Sequence, residues 1–251
     1  MGTAFIAKNT NAEDAGMFTF IPPVTRNLEA WHFLNTGVAK AARNYALDKP
    51  DASIFGAPAE FPNYIRFKGQ TNYLVTKVAD APTQTIFSVI RSKDLLNDVA
   101  HSPAFYGTYS AGGVGAALYW DSANGALVKT AARYSDAGHT TITSAPVSQF
   151  AGTMITIGEW SLIIDVTKSD FNRSINATTD STRTTSAITY GRAPASVPFR
   201  IGSAYAGSSL WSGTADMALW AHYSTELTVS EIAAVVARIR AYMYQRRGIT
   251  V

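Results

Sequence analysis

The last third of the chain constrains the fold most, because its residue pattern predicts a strand, a loop, a second strand and a capped helix in immediate succession. Phe199–Ser203 and Trp211–Trp220 are largely apolar segments separated by a loop of glycine and serine. Thr228 and Glu231 then have the spacing of a capping box, in which the hydroxyl and the carboxylate each bind a backbone amide that the first helical turn leaves unpaired. This pattern predicts a helix that begins at residue 228.

The predicted helix extends to Arg247. Its apolar residues recur every three or four positions from Ile232 to Met243, which places them on one face. Gly248 suits a left-handed stop. A helix with a single apolar face must pack against another element, and the edge or back of a β-sheet is the simplest support.

The rest of the chain predicts short strands. Leu28–Phe33 alternates between two faces, and Thr85–Ser92 is rich in β-branched and aromatic residues. Between 104 and 146, four short β-like segments are separated by turn residues, including Asn124-Gly125, a strong hairpin signal. Residues 170–185 predict a polar hairpin. Short strands at such intervals are typical of a β-sandwich or barrel.

Four segments of the chain resemble laminin-G-like domains of the concanavalin A-like lectin/glucanase superfamily, especially those of bacteriophage structural proteins. These segments are Leu28–Phe33, Tyr64–Leu74, Gly158–Val166 and Phe199–Arg247 with its helix. The second is similar to a hairpin of those domains, although Lys68 stands where aspartate is usual. The resemblance implies an all-β fold, a two-sheet antiparallel β-sandwich of jelly-roll, concanavalin A-like type with one C-terminal amphipathic α-helix.

We expect two parts in the chain. Residues 1–27 have interrupted apolar residues followed by Pro22-Pro23, and we interpret them as an N-terminal arm for attachment. Residues 28–251 form the laminin-G-like domain, which includes the helix at 228–247. The length of 251 residues suits one large β domain.

Composition narrows the classes of function. The chain has no cysteine, which excludes a disulfide framework, thiolate catalysis and cysteine-ligated zinc. We find no signal peptide and no apolar segment of ~18 residues, so we expect synthesis in a host cytoplasm and no membrane insertion. The net charge is +3, and the arginines of the last helix suit its C-terminal dipole, so we expect no nucleic-acid partner.

Carboxylate spacing argues against a glycosidase. Glu159 and Asp165 come nearest to a pair on one strand, but six residues place them ~20 Å apart at ~3.3 Å per residue. Paired carboxylate hydrolysis needs ~5–10 Å. The four histidines are dispersed. We therefore expect a protein that is not an enzyme, with no catalytic residue.

Aromatic side chains beside turns are the candidates for contact with a ligand or partner. We single out Tyr106, Tyr109, Tyr205 and Trp211, in the loops around 106–113 and 204–211, whereas Trp31, Trp160 and Trp220 lie within predicted strands and are expected in the core. Calcium is common at the rim of lectin-like relatives and needs clustered oxygen ligands. Asp121, Asp165 and Asp216 are candidate ligands, but nothing in the sequence brings them together, so we expect no metal site and no cofactor.

These features together predict a non-enzymatic bacteriophage virion protein of the tail-fibre or receptor-binding type. We expect it to bind other virion proteins, to form a homo-oligomer and to contact host-surface glycan. The alternative is an architectural capsid decoration, cement or head-fibre protein that binds no sugar. A glycoside hydrolase is the third hypothesis.

Overall fold

Two antiparallel β-sheets packed face to face make up the protein, with a long helix near the C-terminus. The computed structural model describes residues 20–110, 112–143, 146–168, 170–185, 189–206 and 210–251. Among these residues no helix is long and apolar enough to cross a membrane. The two sheets and the helix confirm the all-β sandwich with one C-terminal helix that the sequence predicts.

The strands are numbered in chain order. They are β1 (Leu28–Phe33), β2 (Ser53–Phe55), β3 (Ala59–Phe61), β4 (Tyr64–Lys68), β5 (Tyr73–Ala79), β6 (Gln84–Arg91), β7 (Ala104–Gly107), β8 (Ala116–Asp121), β9 (Ala126–Ala131), β10 (Arg133–Tyr134), β11 (Ile142–Thr143), β12 (Pro146–Ala151), β13 (Ser161–Thr167), β14 (Asn172–Asn176), β15 (Ser181–Thr184), β16 (Pro198–Ile201) and β17 (Thr214–Tyr223). The helical elements are α1 (Val38–Ala42), a 3₁₀ turn (Gly152–Met154), α2 (Val229–Tyr242) and a π-helical turn (Met243–Arg247).

One sheet has the strand order β15-β14-β13-β6-β17-β4-β3, with β1 also paired to β17. We call it the eight-stranded sheet. The other, the seven-stranded sheet, has the order β12-β9-β8-β7-β16-β5-β2. Strand β17 pairs with β6 along one side, and on the other with β4 first and β1 afterwards. The hairpins expected at Asn124-Gly125 and within 170–185 are confirmed as β8–β9 and β14–β15.

The Tyr64–Leu74 segment is confirmed as a hairpin at its turn and corrected in the pairing of its strands. Lys68 and Asn72 form an antiparallel bridge, in which Lys68 N donates to the Asn72 carbonyl at 3.0 Å and Asn72 N donates to the Lys68 carbonyl at 2.9 Å. Beyond this turn the two strands separate, because β4 belongs to the eight-stranded sheet and β5 to the seven-stranded sheet. Within the turn, an added Cβ on Gly69 would lie 1.8 Å from the carbonyl oxygen of Trp211, so the turn packs tightly against a distant loop.

Two apolar layers follow from strand alternation. On β13, Ile163 points between the sheets, whereas Leu162 and Ile164 point to the outer face of the eight-stranded sheet. Helix α2 covers that outer face with its own buried residues, Ile232, Val235 and Ile239. The outer face of the seven-stranded sheet has no such helix among the described residues, which leaves it for the site below.

The helix itself is confirmed, including its capping box: Thr228 Oγ1 accepts from Glu231 N at 3.3 Å and Glu231 Oε2 accepts from Thr228 N at 2.8 Å. It ends in the π-helical turn, and Gly248 has the left-handed φ of 63°. Arg240 donates from Nε to the carbonyl of Val251 at 2.9 Å. That arginine therefore holds the chain terminus against the helix.

The predicted arm is corrected at its boundary. Residues 1–19 lie outside the described residues, but 20–27 pack on the domain. Phe20 lies 4.6 Å from the ring of Trp31, Val24 is buried, and Arg26 binds Glu231 at 2.6 Å. The domain thus begins before residue 28, because these side chains complete the layer under α2.

Two of the three tryptophans expected in the core, Trp31 and Trp220, are fully buried. Trp160 is only half-buried, with the Arg91 guanidinium 4.3 Å from its ring centroid. It packs at the margin of the layer that lies under α2.

Candidate functional site on the outer face of the seven-stranded sheet

The loop after β16 lies on the outer face of the seven-stranded sheet in its described parts, 202–206 and 210–213. It leaves β16 at Gly202, whose φ is 80° and where an added Cβ would lie 2.2 Å from Phe67 Cβ. The strand residues beneath the loop are small: an added Cβ on Gly107 would lie 2.9 Å from the Cβ of Ala117 and 3.0 Å from that of Ala204. Because these residues are small, the loop can pack closely against the strands.

Trp211 is the centre of this loop. Its ring packs on Ala104 and Ala117, 4.4 Å from the ring of Tyr119 and 5.7 Å from that of Tyr109. Its φ of 56° is left-handed, which is uncommon for a bulky residue. Hydrogen bonds on both sides hold this backbone, from Tyr205 N to the carbonyl of Tyr109 at 2.8 Å and from Gly213 N to that of Ser102 at 3.0 Å.

A cavity of about 230 Å³ opens beside Trp211. We call it the aromatic pocket, and it is lined by Val99, Ser102, Tyr119, Trp120, Asp121, Ser122, Leu210 and Trp211. Rings and aliphatic side chains supply apolar walls, and two serines, a phenol and a carboxylate supply polar groups. Such a mixture suits a small polar ligand with an apolar face.

The phenol of Tyr119 stays protonated at neutral pH. Burial raises its pKa to about 12, and the electrostatic influence of Asp121 and, last, of Tyr109 adds to the shift. The Asp121 carboxylate accepts from Ala123 N at 3.0 Å and from Asn124 Nδ2 at 2.6 Å, so the turn after β8 fixes it. The pocket therefore presents a hydroxyl donor beside an oriented carboxylate.

A second aromatic group lies on the same face, on β2, β5 and the start of the loop. The Arg200 guanidinium lies 3.7 Å from the ring centroid of Tyr205 and 4.5 Å from that of Tyr73. Phe55 stacks on Tyr73 at 4.6 Å and is half exposed. This group forms a cationic and aromatic margin beside the loop.

The four aromatic residues proposed from sequence separate into three environments. Tyr109 and Tyr205 are half-buried on the outer face, and Trp211 is buried against it with 8% of its surface exposed. Tyr106 is corrected, because it is fully buried between the sheets. A register shift between Ala104 and Tyr106 in the β7–β8 pairing turns this ring inward.

The Tyr106 hydroxyl belongs to an internal polar cluster. It donates to Asp165 Oδ2, which also lies 4.0 Å from Lys129 Nζ, and Ser174 donates to Asp165 Oδ1. Burial lowers the pKa of Lys129 to about 8, against the opposing attraction of Asp165. Since Lys129 and Asp165 are almost fully buried, the cluster joins the two sheets and does not contact an external substrate.

The remaining candidate groups do not converge. Glu159 is exposed and pairs with Lys93 at 3.6 Å, whereas Asp165 is internal. Asp216 binds Arg66 and Arg91 on the eight-stranded sheet, far in the fold from the Asp121 turn. The proposed calcium ligands are therefore not assembled, and the described residues contain no group of three or more His, Asp or Glu side chains placed to hold a metal.

Of the residues that line the aromatic pocket, sequence reasoning singled out Trp211 as a contact and Asp121 as a metal ligand. Val99 and Ser102 come from the turn before β7, Ser122 from the turn after β8 and Leu210 from the loop before β17, and no spacing in the chain joins these segments. Tyr119 was the accessible signal, because it alternates with the inward residues Leu118 and Trp120 on β8 and so must face outward.

Comparison with known proteins supports the architecture. No family model matches the chain, and no curated protein does. The ligand-binding domain of botulinum neurotoxin serotype D, solved with N-acetylneuraminic acid, has a TM-score of 0.60 at 10% identity over 84% of this chain and 51% of its own. Trypanosoma rangeli sialidase, solved with sialic acid, has a TM-score of 0.56 at 13% identity over 83% of this chain and 32% of its own.

The class of protein that follows is an antiparallel β-sandwich. The chain spans about half of the neurotoxin domain and about a third of the sialidase chain. At these identities the likeness concerns the fold alone, and the laminin-G-like family remains a resemblance in sequence.

Proposed function

We propose that the protein is a non-enzymatic carbohydrate-binding β-sandwich of a bacteriophage virion, which contacts host-surface glycan through the aromatic pocket. The observation that carries the binding role is the pocket itself, where the rings of Tyr119 and Trp211 adjoin the hydroxyls of Ser102 and Ser122 and the carboxylate of Asp121. A pyranose has one face of C–H groups and a rim of hydroxyls, so it complements this lining.

The structural neighbours give further support to the binding role. Both structural neighbours described above were solved with a sialic acid in place. The virion role, the laminin-G-like family and the homo-oligomer are proposed from the sequence resemblance.

A glycan array tests the binding role, with the full chain compared with two variants. Leu210→Asp places a charge at the pocket, and we expect a loss of about tenfold or more, equivalent to roughly 1.4 kcal/mol. Tyr119→Phe removes one hydrogen bond, and we expect a smaller loss that reflects about 1 kcal/mol. Leu95→Asp is the matched control, because Leu95 is an exposed leucine that does not line the pocket.

The outcomes separate the alternatives. If no glycan binds the folded wild type, the architectural decoration role replaces the present one. Binding that Leu210→Asp and Tyr119→Phe leave unchanged would show that the pocket is not the site. New reducing ends after incubation with bound polysaccharide would reveal a hydrolase, and an image of the particle would show whether the protein belongs to a virion.

A further inference from the structure

A second cleft lies on the side of the eight-stranded sheet, away from the aromatic pocket. It has a volume of about 390 Å³ and is lined by Asn35, Thr36, Gly37, Glu60, Phe61, Pro62 and Arg247. Its three walls are the turn after β1, the turn after β3 and the end of the C-terminal helix. We call it the polar cleft.

The walls of the polar cleft are fixed by their own hydrogen bonds. Glu60 Oε1 accepts from Val38 N at 2.7 Å, which ties the β3 turn to α1. Asn35 is fully buried and donates from Nδ2 to the carbonyl of Ala218 at 2.8 Å. On the opposite wall, the Arg247 guanidinium donates from Nη2 to Tyr242 Oη at 2.8 Å. The cleft is therefore preformed.

Charge decides which ligand suits this cleft. A carboxylate, Glu60, stands on one wall and a guanidinium, Arg247, on another. The Glu60 carboxylate would repel an anion, and the Arg247 guanidinium would repel a cation. A neutral polyhydroxyl ligand can donate a hydrogen bond to Glu60 and accept one from Arg247. Phe61 and Pro62 add an apolar wall, and stacking of Phe61 on Tyr64 at 4.4 Å holds the ring in place.

One polar group in the lining lacks a partner. Thr36 Oγ1 is screened from solvent and has no hydrogen-bond partner in the described part of the chain. A buried hydroxyl without a partner costs free energy, and a rotation of the Thr36 side chain toward the cleft would let a ligand hydroxyl supply one.

We propose that the polar cleft is a second carbohydrate site, which takes a neutral pyranose through Glu60, Thr36 and Arg247. This second site goes beyond the proposed function, because its residues are different and lie on the side of the other sheet. Sugar binding at the polar cleft can therefore be tested independently of binding at the aromatic pocket. A protein with two such sites would contact two residues of one glycan or two separate chains.

Titration of the isotope-labelled full chain with methyl glycosides of glucose, galactose, mannose and N-acetylglucosamine, followed by NMR, tests the proposal. We expect amide shifts at Thr36, Gly37 and Phe61. Methyl glucuronide and glucosamine, which carry a charge, should bind more weakly than the neutral sugars.

Two variants isolate the cleft. Thr36→Val removes the unpartnered hydroxyl, so stability should hold or rise while neutral-sugar affinity falls, a combination that a purely structural residue would not give. Glu60→Gln keeps an oxygen to accept from Val38 N and should also weaken binding. Leu95→Asp, at an exposed leucine that lines neither site, is the control and should leave these shifts intact.

The proposal is overturned if none of the neutral sugars shifts the cleft amides, or if Thr36→Val and Glu60→Gln bind as the wild type does. Shifts confined to Tyr119 and Ser122 would likewise overturn it while supporting the aromatic pocket.

Discussion

Two ion pairs in the interior have almost no exposed surface. They are Lys129 with Asp165 at 4.0 Å and Arg192 with Asp80 at 2.7 Å. The first pair joins strands of different sheets, β9 and β13. A buried charge is costly without its partner, so the first pair restricts how the two sheets can be aligned.

Replacing Asp165 with alanine should therefore destabilise the protein by about 3–5 kcal/mol, since it leaves the Lys129 charge buried and unpaired. The double variant Lys129→Met with Asp165→Leu should recover part of this loss, though Tyr106 and Ser174 still lack their acceptor. Urea unfolding measures both. Lys93→Met, which breaks an exposed pair, should stay within about 1 kcal/mol of wild type, and an equal loss there would refute the argument.

Buried histidines predict acid sensitivity. Burial lowers the pKa of His32 to about 4 and that of His222 to about 3, from 6.5. Below pH 6.5 these two histidines bind protons in the unfolded chain but stay neutral in the folded protein. Their contribution to the free energy of unfolding is therefore complete above pH 6.5 and declines as the pH falls toward 4 and 3.

Unfolding free energy measured between pH 7 and 5 should show this decline, before most carboxylates titrate. His32→Gln should flatten the profile. Thr250→Ala, which removes no titratable group at an exposed position, should leave its slope unchanged. A flat wild-type profile would contradict the assignment.

At the scale of elements, the start of α2 is joined to the segment before β1. Glu231 accepts from Thr228 N and from Arg26, which lies in the segment before β1. This contact lowers the pKa of Glu231 to about 2. The cap therefore anchors the N-terminal segment as well as the helix.

Thr228→Ala should cost about 1 kcal/mol, within a range of roughly 0.5–2, because the Glu231 amide loses its acceptor. Thermal unfolding measures the loss. Thr250→Ala, at an exposed position outside the helix, should change stability by less than about 0.5 kcal/mol. Equal effects of the two variants would mean that the cap contributes nothing.

Local patterns also explain what the sequence could predict. The capping box, the apolar spacing from Ile232 and the Asn124-Gly125 turn act within a few residues, and each is confirmed. Tyr106 was misjudged because a register shift against β8 decides its orientation, and the separation of β4 and β5 into different sheets likewise depends on pairing with distant strands. In the aromatic pocket, Trp211 and the strand residue Tyr119 had a readable signal, whereas the residues that come from separate turns did not.

At the scale of the whole molecule, the two outer faces differ. Helix α2 and residues 20–27 cover the eight-stranded sheet, whereas a loop alone crosses the seven-stranded sheet in the described structure. The outer face of the eight-stranded sheet is thus covered, whereas that of the seven-stranded sheet, which we call the open side, is covered among the described residues only by this loop. The polar cleft lies at the end of the helix. Any assembly that buries the open side would hide the aromatic pocket but could leave the cleft exposed.

Strand β17 has a consequence for synthesis. It is the shared neighbour of β1, β4 and β6, yet it leaves the ribosome long after all three. Until then those strands have unpaired edges and apolar faces, and such non-local pairing slows folding and favours aggregation. The nascent chain is therefore exposed to premature association until β17 is made, and its commitment to the native sandwich waits for that strand.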